Sequence, residues 1–170
     1  MSPFNQAMLM LAKQPNVLFV GQGVGDGGDG VATYRDMDGV PMAQRIEFPV
    51  SEELQLGACV GLAMQGYLPV CVYPRIDFMM RAMDQLVNHL DKIEQMSCGQ
   101  WKPKVIIRTR VGSKRPLDAG PQHTQNHSRA LWEMLKNVDV FEVEREQDVM
   151  ATYRDALMNE RSTIVVEAIC

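Results

Sequence analysis

The chain has 170 residues, of which 46% are hydrophobic and 22% charged, enough for one globular domain with a sizeable core. Its formal net charge of -4 offers nothing to a polyanion such as nucleic acid or to an anionic membrane surface. The longest apolar runs, such as Val105-Ile106-Ile107, are far too short to cross a bilayer, and the first residues lack the basic start and apolar stretch of a secretory signal.

In chain order, apolar spacing at Phe4, Ala7, Met8 and Leu11 predicts a helix over 4–13. Val17 to Val20 is an apolar run closed by Gly21, a buried strand pattern. A glycine-rich stretch follows, and 45–48 is a second short strand. Ser51 is an N-cap candidate for a helix carrying Leu54, Ala58, Leu62 and Met64, which ends near Gly66. Residues 69–73 form a third strand. Phe78, Ala82, Leu86, Leu90 and Ile93 recur at spacings of three or four and predict one long amphipathic helix over 77–96. A fourth strand covers 104–108. Residues 109–125, with Gly112, Pro116, Gly120 and Pro121, form a long loop of the kind that tends to carry function. A helix at 126–135, a strand at 138–143, a helix at 147–158 and a strand at 163–167 complete the chain. Strands alternating with helices predict an α/β fold: a doubly wound, mostly parallel sheet with helices on both faces. Ligands of such sheets sit at the carboxyl ends of the strands, which singles out the turns after strands one and two and the long loop after strand four.

Cys59, Cys71, Cys98 and Cys170 lie far apart with no CxxC pair, so free thiols in a reducing, cytoplasmic setting are expected. The thirteen methionines read as adaptable core filler. The stretch from Gly21 to Gly30 contains the spacing GxGxxG at Gly23, Gly25 and Gly28, but no GKS or GKT follows it. Two aspartates stand where a phosphate would need a helix start, so a mobile turn is the simpler reading. Glu52 and Glu53 open a helix, where a carboxylate is favoured by the helix dipole whether or not it is catalytic. His123 and His127 close the long loop. A loop histidine can shuttle protons, while a metal site at this pair lacks acidic or cysteine ligands nearby, and none is expected. Asp77 and Asp84 read as a cap and a surface or partner-facing charge.

Together these segments follow a family in order and spacing. They are Asn16 to Gly25; Arg45-Ile46-Glu47-Phe48-Pro49-Val50-Ser51-Glu52; Gly-x-x-x-Gly-x-Ala-x-x-Gly-x-x-Pro from Gly57 to Pro69; Asp77-Phe78-Met79-Met80-Arg81-Ala82-Met83-Asp84-Gln85-Leu86-Val87-Asn88; Pro103 to Arg108 with Gly112; Gly120-Pro121-Gln122-His123-Thr124-Gln125; and Val165-Val166-Glu167. The chain resembles the pyrimidine-binding, transketolase-like domain of thiamine-diphosphate-dependent 2-oxoacid dehydrogenase beta subunits (pyruvate dehydrogenase among them) and, more distantly, the middle domain of transketolase. The resemblance implies a thiamine-diphosphate-binding fold and an oxidoreductase subunit that decarboxylates a 2-oxoacid and transfers the acyl or aldehyde fragment. It implies that Glu52 hydrogen-bonds a ring nitrogen of the cofactor's aminopyrimidine, sharing a proton that activates the cofactor. By the same likeness His123 would hydrogen-bond or protonate a substrate-derived oxygen. Tyr73, Ile76 and Phe78 are the candidates to pack on the aminopyrimidine.

The chain departs from the family's usual pattern at Gln22-Gly23, which replace two acidic residues, and at Val72, Pro74 and Arg75. Family beta subunits continue into a C-terminal domain, so 1–170 is expected to be a single pyrimidine-binding domain without it. Magnesium and the diphosphate are expected to belong to a separate diphosphate-binding alpha-type subunit, in a homo- or hetero-oligomer. Met79, Met80 and Met83 would then face a partner or else complete the domain's own core. The alternatives are a non-catalytic remnant that keeps the fold and an interaction surface, and a flavodoxin-like nucleotide-binding module resting only on the glycine loop.

Overall fold

The computed structural model describes residues 1–25, 35–114 and 118–169. Six strands form one sheet in the order β2-β1-β3-β4-β6-β5, with every neighbouring pair parallel. The strands are β1 (Val17–Gly21), β2 (Arg45–Glu47), β3 (Leu68–Val72), β4 (Ile106–Arg110), β5 (Val138–Val143) and β6 (Ser162–Glu167). The helices are α1 (Pro3–Ala12), α2 (Glu52–Met64), α3 (Ile76–Met79), α4 (Ile93–Met96), α5 (Ser128–Met134) and α6 (Val149–Met158).

Alternation along the buried strands divides the core in two. Val20, Cys71, Ile107, Ile164 and Val166 point to one face, where α2, the segment from Ile76 to Leu90 and Leu131 of α5 cover them. Phe19, Val70, Val72, Ile106 and Val165 point to the other face, against Ala7, Met8 and Leu11 of α1 and Val149, Tyr153 and Ala156 of α6. The expected doubly wound α/β architecture is the one observed, and the sheet is parallel throughout. Among the described residues no helix is long and apolar enough to cross a membrane.

The predicted long helix over 77–96 is not continuous. It runs as α3, a 3-10 turn at Met80–Ala82, a π-helix at Gln85–Leu90, and α4. The buried stripe is accordingly Ile76, Met79, Ala82, Leu86 and Leu90, while Phe78 and Ile93 are only half-buried. Met79 is fully buried, and Met80 and Met83 pack against the same core cluster, so all three contribute to the domain's own core. Ser51 precedes α2 as expected, but its hydroxyl makes no cap hydrogen bond. Its backbone does the joining instead, with Ser51 N–H donating to Pro49 O and Ser51 O accepting from Gln55 N–H.

Strand order reverses at β1, which has β2 on one side and β3 on the other, so the switch point of the sheet lies between β1 and β3. There the two backbones are in near contact. A Cβ on Gly21 would stand 2.2 Å from Val72 O, so only glycine fits. The glycines and aspartates of 26–34, Gly28 of the GxGxxG spacing included, lie outside the described residues.

Candidate functional site

At the switch point the carboxyl ends of β1 and β3, the start of α2 and the loop after β4 converge. Glu52 is the first residue of α2 and is buried, although carboxylates rarely are unless paired. Two neighbours fix its place. Tyr73, just past β3, donates its hydroxyl to Glu52 O at 2.8 Å. Gln55, one turn along α2, donates Nε2 to Val72 O at 3.0 Å and reaches Val20 O at 3.4 Å and Cys71 Sγ at 3.3 Å. The helix start is thereby tied to both strands of the switch point. Burial, with Cys71 close by, pushes the Tyr73 phenol's proton affinity far up, so Tyr73 is a neutral donor at any physiological pH. Among the described residues the Glu52 carboxylate makes one ion pair, with Arg81 of the 3-10 turn, whose Nε lies 3.5 Å from Oε2.

His123 lies on the long loop, half-buried, with its ring edge-on to Phe78 at 5.4 Å between centroids. Its Nδ1 is buried and has no hydrogen-bond partner among the described residues. Gly112 supports this stretch from below. A Cβ there would stand 1.8 Å from His123 O and 2.5 Å from Arg75 Nη1. On the far side of the loop, Asp77 Oδ1 accepts from Gln125 Nε2 at 3.0 Å, pinning the loop to α3. Gln22, just past β1, also carries a buried Nε2 without a partner among the described residues. Such orphaned polar atoms are uncommon in a native fold and call for a partner such as water or a ligand.

Of the three residues expected to pack on a ring, Tyr73 and Ile76 are fully enclosed in the domain core, whereas Phe78 is half-buried beside His123. Glu53, next to Glu52, is exposed. His127 sits at the N-cap position of α5, and Leu131 N–H donates to its carbonyl. Sequence reasoning passed over Gln55 and Arg81. Gln55 could have been found as a polar residue within the buried stripe Glu52, Gln55, Leu56, Cys59, Val60 of α2. Arg81 carried no local signal, because its meeting with Glu52 is made by tertiary structure.

The glycine-rich turn after β1 is occupied from within. Glu47, the last residue of β2, accepts from Gly23 N–H at 2.8 Å, Val24 N–H at 2.9 Å and Gly25 N–H at 2.7 Å. Three converging amides of this kind form an anion nest, and here the anion is the protein's own carboxylate. A phosphate would have to displace it.

A parallel sheet with a buried carboxylate and a half-buried histidine near its switch point defines a doubly wound α/β domain with a candidate site at its carboxyl edge. The chain belongs to the family described as "Transketolase, pyrimidine binding domain", which it matches over residues 4–168. It is 27% identical over 122 residues to the mitochondrial pyruvate dehydrogenase E1 component subunit beta of Rattus norvegicus, covering 72% of this chain and 33% of that protein. It is 30% identical over 124 residues to the corresponding subunit of Rickettsia bellii, covering 72% of this chain and 37% of that one. The chain thus spans about a third of the length of these relatives. A solved structure titled "Split gene transketolase, inactive beta4 tetramer" shares the fold with a TM-score of 0.75 at 18% identity, over 98% of this chain and 50% of that one.

Proposed function

We propose that this domain forms the aminopyrimidine-facing half of a thiamine-diphosphate site and acts as the beta-type subunit of an enzyme that decarboxylates a 2-oxoacid. The observation that carries the reading is Glu52: a buried carboxylate, held in place through its own backbone by Tyr73, with acceptor capacity to spare. The residues along this edge of the sheet suit a polar heteroaromatic ring. Glu52 can accept from or share a proton with a ring nitrogen, and Gln22 Nε2 is a buried donor in want of an acceptor. Phe78 offers the half-buried aromatic face. When bound, thiamine diphosphate supplies a nucleophilic carbon that stabilises negative charge next to a former carbonyl.

The work of this chain is then to hold and tune. Glu52 stands in the first turn of α2, at the positive end of the helix dipole. The Gln55 and Tyr73 tethers hold the start of α2 against the strands and so fix the backbone from which the Glu52 carboxylate reaches out. His123, its ring braced by Phe78, is placed to hydrogen-bond or protonate a substrate oxygen. We assign magnesium and the diphosphate to a separate alpha-type subunit, making the working form a hetero-oligomer. We place it in a reducing, cytoplasmic setting, where Cys59 and Cys71 remain buried thiols.

The test is Glu52→Gln in the chain reconstituted with a diphosphate-binding subunit. It is expected to abolish cofactor-dependent 2-oxoacid turnover, with an unchanged circular-dichroism spectrum. Turnover at the unsubstituted rate would sink the assignment. The competing reading, a non-catalytic remnant, draws on the contact that Arg81 makes with Glu52. It gains if no reconstituted pair turns over any 2-oxoacid.

A further inference from the structure

Glu52 is placed as a proton-sharing group, yet its carboxylate is in contact with a permanent cation. Arg81 Nε approaches Oε2 to 3.5 Å. The two partners live in different surroundings: the Glu52 side chain is 5% exposed and that of Arg81 77% exposed. The arginine therefore lies over the solvent side of an otherwise enclosed carboxylate. No other ion pair or hydrogen bond engages its guanidinium among the described residues. Its turn, Met80–Ala82, is anchored by the buried Ala82 and by Met80 against the core, so the backbone is fixed while the long side chain can leave. A guanidinium has donors only and cannot give up its proton, so while it lies there it holds that side of the carboxylate. A ring nitrogen that shares a proton with Glu52 needs the same side.

We propose that Arg81 is a gate on Glu52: it occupies the open side of the carboxylate until an aminopyrimidine ring displaces it, and so lowers this domain's affinity for that ring. This rests on the reading of Glu52 as the cofactor-facing group. The gate is easily opened. The pair is long and one partner is largely in water, which puts it among ion pairs that shift an equilibrium by roughly two- to fivefold. Arg81 acts through Glu52 and is a positioning residue.

The probe is the free aminopyrimidine, 4-amino-5-hydroxymethyl-2-methylpyrimidine, titrated into the chain at millimolar concentrations and followed by NMR. Arg81→Ala is expected to bind it roughly two- to fivefold more tightly than the unsubstituted chain, with Arg81→Lys close to the unsubstituted value. In parallel, Glu52→Gln should move the Arg81 Nε–H resonance, which reads the contact without any ligand. Equal or weaker binding by Arg81→Ala, no binding by either form, or an unmoved Nε–H resonance overturns the gate. If Glu52→Gln weakens ring binding but Arg81→Ala changes nothing, the gate alone fails. If Glu52→Gln binds the ring as well as the unsubstituted chain, the cofactor reading fails and takes the gate with it.

Discussion

Gly112 has no room for a side chain. A Cβ would overlap His123 O at 1.8 Å, and backbone cannot yield as a flexible side-chain tip can. Gly112→Ala should therefore push the His123 loop away from Phe78. The expected cost is about 1–3 kcal/mol of stability, the usual range for forced overpacking, read by urea unfolding. In the reconstituted enzyme, turnover should fall at least as steeply as for loss of a single proton-transfer residue, about a hundredfold. The sequence showed Gly112 as a breaker in a long loop and as a family position. It could not show the reason, since the clashing carbonyl is eleven residues away and is brought back by the fold. Glu52 is the converse case. Its place at a helix start was legible, but its burial depends on Tyr73 and Gln55 meeting it across the sheet.

The turn after β1 shows how one element conditions another. Glu47 at the end of β2 holds three successive amides of that turn, so β2 and the glycine-rich segment are fastened by one side chain. Glu47→Gln keeps the shape but halves the acceptor capacity and removes the charge. Amide exchange at Gly23, Val24 and Gly25 should rise, and the loss of charge-assisted hydrogen bonds should cost about 1–3 kcal/mol. Unchanged exchange at all three amides would show the nest to be unimportant. The broken helix teaches a second lesson. A stripe at spacings of three and four predicts a helix over 77–96, and helical backbone is found. The same spacings do not distinguish a continuous α-helix from one interrupted by 3-10 and π turns. Within α3 it is Ile76 and Met79 that are buried, while Phe78 is half-buried and meets His123.

Across the whole molecule, the carboxyl edge of the sheet is closed on its second face by a buried ionic cluster. Arg108 donates to Glu167 at 2.7 Å and to Asp36 at 2.5 Å, Arg110 joins both acids, and Tyr153 donates to Glu167 at 2.7 Å. Phe4 of α1 lies under both guanidinium groups. Burial by itself would raise the Glu167 proton affinity, but Arg108 and Arg110 outweigh it and hold the carboxyl below the usual carboxylate range. A carboxyl depressed in the folded state stabilises the fold above its unfolded pKa, about 4.3, and that stability is lost as pH falls through this value towards the folded one. Urea unfolding from pH 7 down to pH 3 should show this loss, and Glu167→Gln should flatten it. At pH 7 the same substitution should cost about 3–5 kcal/mol, because Arg108 and Arg110 are left to share the single carboxylate of Asp36 within this buried cluster. A pH profile unaltered by Glu167→Gln would place the acid sensitivity elsewhere.

The sequence by itself determined the class of fold and the order of its parts. Periodicity is a local property, so alternating strands and helices, the carboxyl-edge loops and the helix that begins at Glu52 could all be read along the chain. Only the tertiary structure decided what those parts do to one another. It filled the glycine-rich nest with Glu47, enclosed Tyr73 and Ile76 while leaving Phe78 beside His123, and brought Arg81 to Glu52 from 29 residues away. Each of these outcomes depends on distances between segments remote in sequence, which no local pattern of side chains encodes.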